Sequence, residues 1–130
     1  VNRRGFFAIF VAGASFLRAA AQSLRGRLRN EPPSLEVNGQ QIALTGDDET
    51  KLVLADARLN GLDFEVLGTR TSENAFTIEP IHLRALFVHR NGERLMVTYW
   101  CDVCYIRTFS PGLCWCCRKD TDLDLRASLD

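Results

Sequence analysis

All five cysteines of this 130-residue chain fall within seventeen residues: Cys101, Cys104, Cys114, Cys116 and Cys117. Random scatter does not produce that cluster, so its chemistry is the first question. Cys101 and Cys104 form a C-x-x-C pair at the end of an apolar run, in "VTYWCDVC". That spacing lets two thiolates face one ion from a single knuckle turn, and a second pair then completes a tetrahedral zinc site. Cys114, Cys116 and Cys117 read as C-x-C-C, a less regular second half for a zinc-ribbon module whose folding would depend on metal. Thiol redox chemistry is the second reading, because C-x-x-C also serves dithiol–disulfide exchange. With twenty-six residues after Cys104, the expectation is against a complete thioredoxin fold and leaves redox chemistry to another fold. The third reading is structural, as disulfides or as buried thiols acting as small hydrophobes. In the first two readings Cys101 is the more restrained thiol, Cys104 its partner, and His82 a third member if the fold brings it near. His82 and His89 otherwise read as hydrogen-bonded strand residues. No Ser-His-Asp order, phosphate-binding glycine loop or haem-attachment motif is present, so no catalytic residue is assigned.

The elements that must position these thiols are mostly strands. "LEVNGQQIAL" alternates apolar and polar residues around Asn38-Gly39, and Asn91-Gly92 sits between the nearly continuous apolar runs Ala85–Val88 and Leu95–Tyr99, which read as largely buried arms. Asn-Gly accepts the positive φ angles of a type I′ turn, so both stretches predict hairpins. "TGDDETKLVLADARLNG" predicts a helix capped by Asp47 or Asp48, ended by Gly61, with Leu52, Ala55 and Leu59 on one face. "LDFEVLGTR" predicts a strand, and "SENAFTIEP" a turn into another over 75–78. Pro32-Pro33 marks "NEPPSL" as a linker. The expected fold class is α+β: a small β-rich domain over 34–119 with two Asn-Gly hairpins and one short helix. An N-terminal hydrophobic helix precedes it, and an acidic tail over 120–130 follows as a solvated end or short amphipathic turn.

Residues 1–30 carry six arginines and no acid, while the rest of the chain carries ten basic against sixteen acidic side chains. An acidic body argues against nucleic acid as a partner. The basic segment has another explanation. Arg3 and Arg4 precede an apolar run from Phe6 to Leu17, and Ala19-Ala20-Ala21 follows, which is the layout of a secretory signal. "RRGFF" is similar to a twin-arginine export signal. The alternative is an uncleaved membrane anchor reaching Leu24, with Arg18 snorkelling to the interface. Either way residues 1–30 predict a membrane partner and a place in the cell envelope, anchored at the inner membrane or exported.

Several stretches together resemble an uncharacterised bacterial family, domain of unknown function 3179. The match runs from "FEVLG" through "AFTIEPIHLRALF" and "NGERLMVTYWCDVC" to "RTFSP". The resemblance aligns Val66-Leu67-Gly68 with the family's first strand, and Ala75-Phe76 with its alanine and aromatic. It aligns His82 with the family histidine, Gly92 with the turn glycine, and Val97-Thr98-Tyr99 with the strand before the cysteines. Cys101 and Cys104 match the C-x-x-C pair, and Phe109-Ser110-Pro111 the segment beyond. Trp100 is inserted before the first cysteine, Asp102 stands in place of a proline, and the family pattern continues past the cysteines. The resemblance therefore implies a truncated or diverged member, an extracytoplasmic location and no established reaction. The sequence leaves two functions standing. One is an exported or membrane-tethered domain whose C-x-x-C knuckle binds metal or does thiol redox chemistry. The other is a non-catalytic interaction or remnant domain with structural cysteines.

Overall fold

The computed structural model describes residues 21–129. The described residues open with β1 (Gln22–Arg29), β2 (Ser34–Val37) and β3 (Gln40–Thr45), followed by the one α-helix among them, α1 (Asp48–Leu54). Next come β4 (Asp63–Ser72), β5 (Ala75–Ile78), β6 (Leu86–Arg90) and β7 (Glu93–Cys101), then the short β8 (Ile106–Thr108) and β9 (Asp122–Arg126). Two 3-10 turns, Ala57–Leu59 and His82–Arg84, lie before β4 and β6.

The first five strands close into a barrel. β1 pairs antiparallel with β2, β2 with β3, and β4 with both β5 and β1, while β3 and β5 run parallel. The order β1-β2-β3-β5-β4-β1, with a helix between the third and fourth strands, is the connectivity of an OB-type barrel. β1 serves both sides of the seam. Gln22 to Arg27 pair with β4, and Arg27 to Arg29 pair with β2. Gly26 stands where the strand changes partner, and a Cβ there would lie 2.5 Å from the Glu36 carbonyl oxygen. Inward side chains fill the barrel, among them Leu28, Leu35, Ile42, Phe64, Val66 and Phe76, with Val53 and Leu54 of α1 packed into the same core.

β7 joins the barrel to the cysteine region. One of its edges pairs first with β6 and then with β8, and the other pairs with β9. Val97 and Tyr99 of β7 belong to the barrel core, and Leu113 bridges to Asp120 beyond β8. The result is a three-stranded ribbon, β8-β7-β9, growing out of the barrel sheet.

Both expected hairpins are present. Asn38 and Gly39 have φ of 50° and 82°, and Asn91 and Gly92 have 54° and 80°, as type I′ turns require. Asp47 caps α1 by accepting from the Thr50 N–H. The helix is shorter than the sequence predicts, because Asp56 accepts the Arg58 N–H and starts a separate 3-10 turn capped in its own right. Leu52 consequently points to solvent, while Val53, Leu54 and Leu59 are buried.

Three boundaries also need correction. Residues 22–29, expected within a signal or anchor, are a barrel strand with Arg25 and Arg27 on its outer face. The N-terminal hydrophobic helix and the rest of the signal or anchor reading lie outside the described residues. The stretch expected as a linker is the short turn between β1 and β2, so the barrel includes β1 as well as the residues from Ser34 onward. The tail expected to be solvated instead supplies β9, whose Leu123 and Leu125 pack on the core.

Candidate metal centre

β7 delivers Cys101 to the turn before β8, and the chain returns after Thr108 to place a second turn beside it. The Sγ atoms of Cys101, Cys104, Cys114 and Cys117 all lie within 4.8 Å of one another. Among the described residues this is the only such group of metal-ligating side chains. Cys101 and Cys114 are buried, while Cys104 and Cys117 are partly exposed. The Cys101 and Cys117 sulfurs are 3.6 Å apart, and all five cysteines are free thiols rather than disulfides. A disulfide would need about 2.05 Å. The edge of a tetrahedron with zinc–sulfur bonds of about 2.3 Å is about 3.8 Å.

The two halves of the site share a turn closed by the N–H of the residue after the second cysteine on the carbonyl of the first, and differ by one residue in which N–H meets the first cysteine's sulfur. In the first, the Cys104 N–H donates to Cys101 Sγ at 3.4 Å and the Tyr105 N–H donates to the Cys101 carbonyl at 2.8 Å. In the second, the Cys116 N–H donates to Cys114 Sγ at 3.4 Å and the Arg118 N–H donates to the Cys114 carbonyl at 2.9 Å. The residue after each closing cysteine is left-handed, Tyr105 at φ 57° and Arg118 at 63°. Side chains other than glycine rarely adopt that conformation, at a cost of roughly 1–2 kcal/mol each. Finding it twice at the same place marks two knuckles held by a common demand.

This pairing corrects the sequence reading of the second half. Cys114, Trp115, Cys116 and Cys117 contain a regular C-x-x-C between Cys114 and Cys117, with Cys116 as an extra thiol between them. The full pattern is C-x-x-C, nine residues, C-x-x-C. Cys116 is exposed and outside the group of four. His82 is also outside it, and its Nε2 lies 2.6 Å from the Phe109 carbonyl, bracing the chain between the knuckles. His89 is on the barrel wall, 2.8 Å from Glu65.

The thiols are unequal in the absence of metal. The N–H groups of Cys117 and Cys116 point at the Cys114 sulfur and bring its pKa down to about 7. Hydrogen bonding with the Cys116 thiol, then burial, pushes Cys104 far upward. At Cys117 the Lys119 backbone favours the thiolate, but burial and the Cys101 and Cys114 thiols outweigh it and raise the pKa. Thiolates are what bind metal, so a cluster that cannot shed all its protons alone gains the most from a cation at its centre.

Comparison with family models, curated proteins and solved structures returned no match. The fold and the site together define a class: a small OB-type barrel extended by a ribbon whose two cysteine knuckles converge.

Proposed function

We propose that the protein is a non-catalytic binding module whose ribbon is held by one zinc ion on Cys101, Cys104, Cys114 and Cys117. The observation that carries this is the convergence of two C-x-x-C knuckles on four sulfurs that all lie within 4.8 Å of one another. A four-thiolate set leaves zinc no open position for water or substrate, which separates structural from catalytic sites. The redox reading is weaker on the same geometry. A redox C-x-x-C presents one pair to an incoming disulfide, whereas here each pair faces the other. Iron suits the same tetrahedral sulfur donors and is the competing metal.

Exposed Val103, Tyr105, Leu113 and Trp115 surround the knuckles and give the ribbon a surface to offer a partner. Nucleic acid does not suit the barrel wall, because Arg25 is paired with Asp63 and Arg29 with Glu36. No helix among the described residues is long and apolar enough to cross a membrane. We propose that the apolar segment ahead of β1 supplies the tether to the cell envelope.

Metal content and thiol count on protein purified without chelator test the metal reading. One zinc per chain, with only Cys116 reacting quickly with a thiol reagent, is the expected result. A metal-free protein with a reducible Cys101–Cys104 disulfide would replace it with thiol chemistry, and a coloured protein with one iron would change the metal.

A further inference from the structure

The site has five thiols for an ion that takes four, and the spare one is placed beside a ligand. Cys116 sits inside the second knuckle, between Cys114 and Cys117, and is exposed to solvent. Its N–H is already used, donating to Cys114 Sγ, so its backbone is fixed relative to the cluster. The sulfur of Cys104, the less buried cysteine of the first knuckle, lies within 4.8 Å of those of Cys114 and Cys117, the knuckle cysteines on either side of Cys116 in the chain. Cys104 and Cys116 both reach solvent, while Cys101 and Cys114 are buried.

Resting on the metal reading above, we propose that Cys116 is an oxidation site that unlocks the metal centre, by forming a disulfide with Cys104 when a peroxide is present. The Cys116 sulfur attacks one peroxide oxygen, the O–O bond breaks, and one water leaves as the sulfur becomes a sulfenic acid. The Cys104 sulfur then attacks the Cys116 sulfur. Its bond to the ion breaks, the S–S bond forms, and hydroxide leaves and is protonated to a second water. The two sulfurs have lost two electrons and the peroxide has gained them. The ion is left with three thiolates in a cluster now tied across its open edge, and it dissociates. A thiol reductant reverses the disulfide and restores the site.

Replacing Cys116 by serine keeps the backbone N–H on Cys114 and removes only the spare sulfur. The test compares the zinc-loaded, reduced wild-type chain with C116S under hydrogen peroxide. Zinc release is followed with a chromogenic chelator, and the disulfide is located by peptide mass mapping. The wild type is expected to release zinc with a Cys104–Cys116 link, and C116S to release it roughly tenfold more slowly. Equal release rates in the two proteins, or a link between other cysteines, would overturn the inference while leaving the metal centre intact. Absence of zinc from both reduced proteins before peroxide would instead remove the metal reading, and the inference with it.

Discussion

The Tyr99 hydroxyl donates to Asp56 Oδ2 at 2.9 Å, and Tyr99 itself is fully buried. Arg58 clasps both oxygens of the same carboxylate at 2.9 Å, and its guanidinium lies 5.4 Å from the centre of the Tyr99 ring. One further guanidinium bond runs to the Thr121 carbonyl at 3.1 Å. These few residues tie the α1–β4 connection of the barrel to the ribbon strand β7 and to the start of β9. Burial opposes ionisation of Asp56, but the bonds from Arg58 and Tyr99 outweigh it and hold the carboxyl below its usual range. A depressed folded pKa adds stability above the unfolded value of about 3.9, and that stability is lost as pH falls through the folded pKa. Asp56→Asn should therefore flatten the loss of stability below about pH 4 relative to wild type, measured as urea midpoints across pH. An unchanged acid limb would remove Asp56 from that account. Tyr99→Phe should cost about 1.5–3 kcal/mol, the range for a hydrogen bond to a charged group. The Asp47 cap and the Asn-Gly turns were legible in the sequence because each acts within four residues. The Asp56–Tyr99 contact spans forty-three residues and leaves no local trace.

At the scale of elements, two of the three strands missed by sequence reasoning, β1 and β9, alternate. In β1, Leu24, Gly26 and Leu28 alternate with Arg25, Arg27 and Arg29, and in β9 Leu123 and Leu125 alternate with Asp122 and Asp124. The period of two was there, but charge dominated the reading of both segments. The arginines belong outside because acidic neighbours meet them across the strands. Arg25 NH2 is 2.8 Å from Asp63 of β4, and Arg29 NH2 is 3.1 Å from Glu36 of β2. Closure itself could not be read, since the β1–β4 seam joins residues about forty positions apart and the β3–β5 pairing is parallel. Gly26→Ala tests that closure directly. The added methyl meets the backbone of Glu36 rather than a flexible side chain. The expected cost is about 1–3 kcal/mol, typical of overpacking. Amide exchange should rise in β2, because the β1–β2 pairing must open, while the β6–β7 hairpin keeps its protection. Unchanged protection in β2 would mean the strand can bend without that glycine.

Across the whole molecule, the barrel and the metal centre draw on different sources of stability. The core from Leu28 to Tyr99 contains no cysteine, whereas the ribbon beyond Tyr99 has short strands and exposed apolar side chains. Below about 40 residues a polypeptide usually needs a metal, disulfides or a partner to fold. Here β7 anchors one side of the ribbon, and the thiol cluster has to organise the rest. The two tryptophans of the chain, Trp100 and Trp115, both belong to that region. Trp100 lies under the Arg107 guanidinium at 4.8 Å and beside Tyr105 at 6.0 Å, so its surroundings depend on the first knuckle staying closed. Chelation of the loaded protein should therefore change tryptophan fluorescence and amide exchange in β8 and β9, while the far-ultraviolet signal of the barrel strands persists. Restoring zinc should restore the fluorescence. Loss of the entire β-sheet signal on chelation would show that the barrel, too, folds only with the ion. That result would mean that Val97 and Tyr99, the β7 residues shared by both parts, transmit the ribbon's collapse into the core.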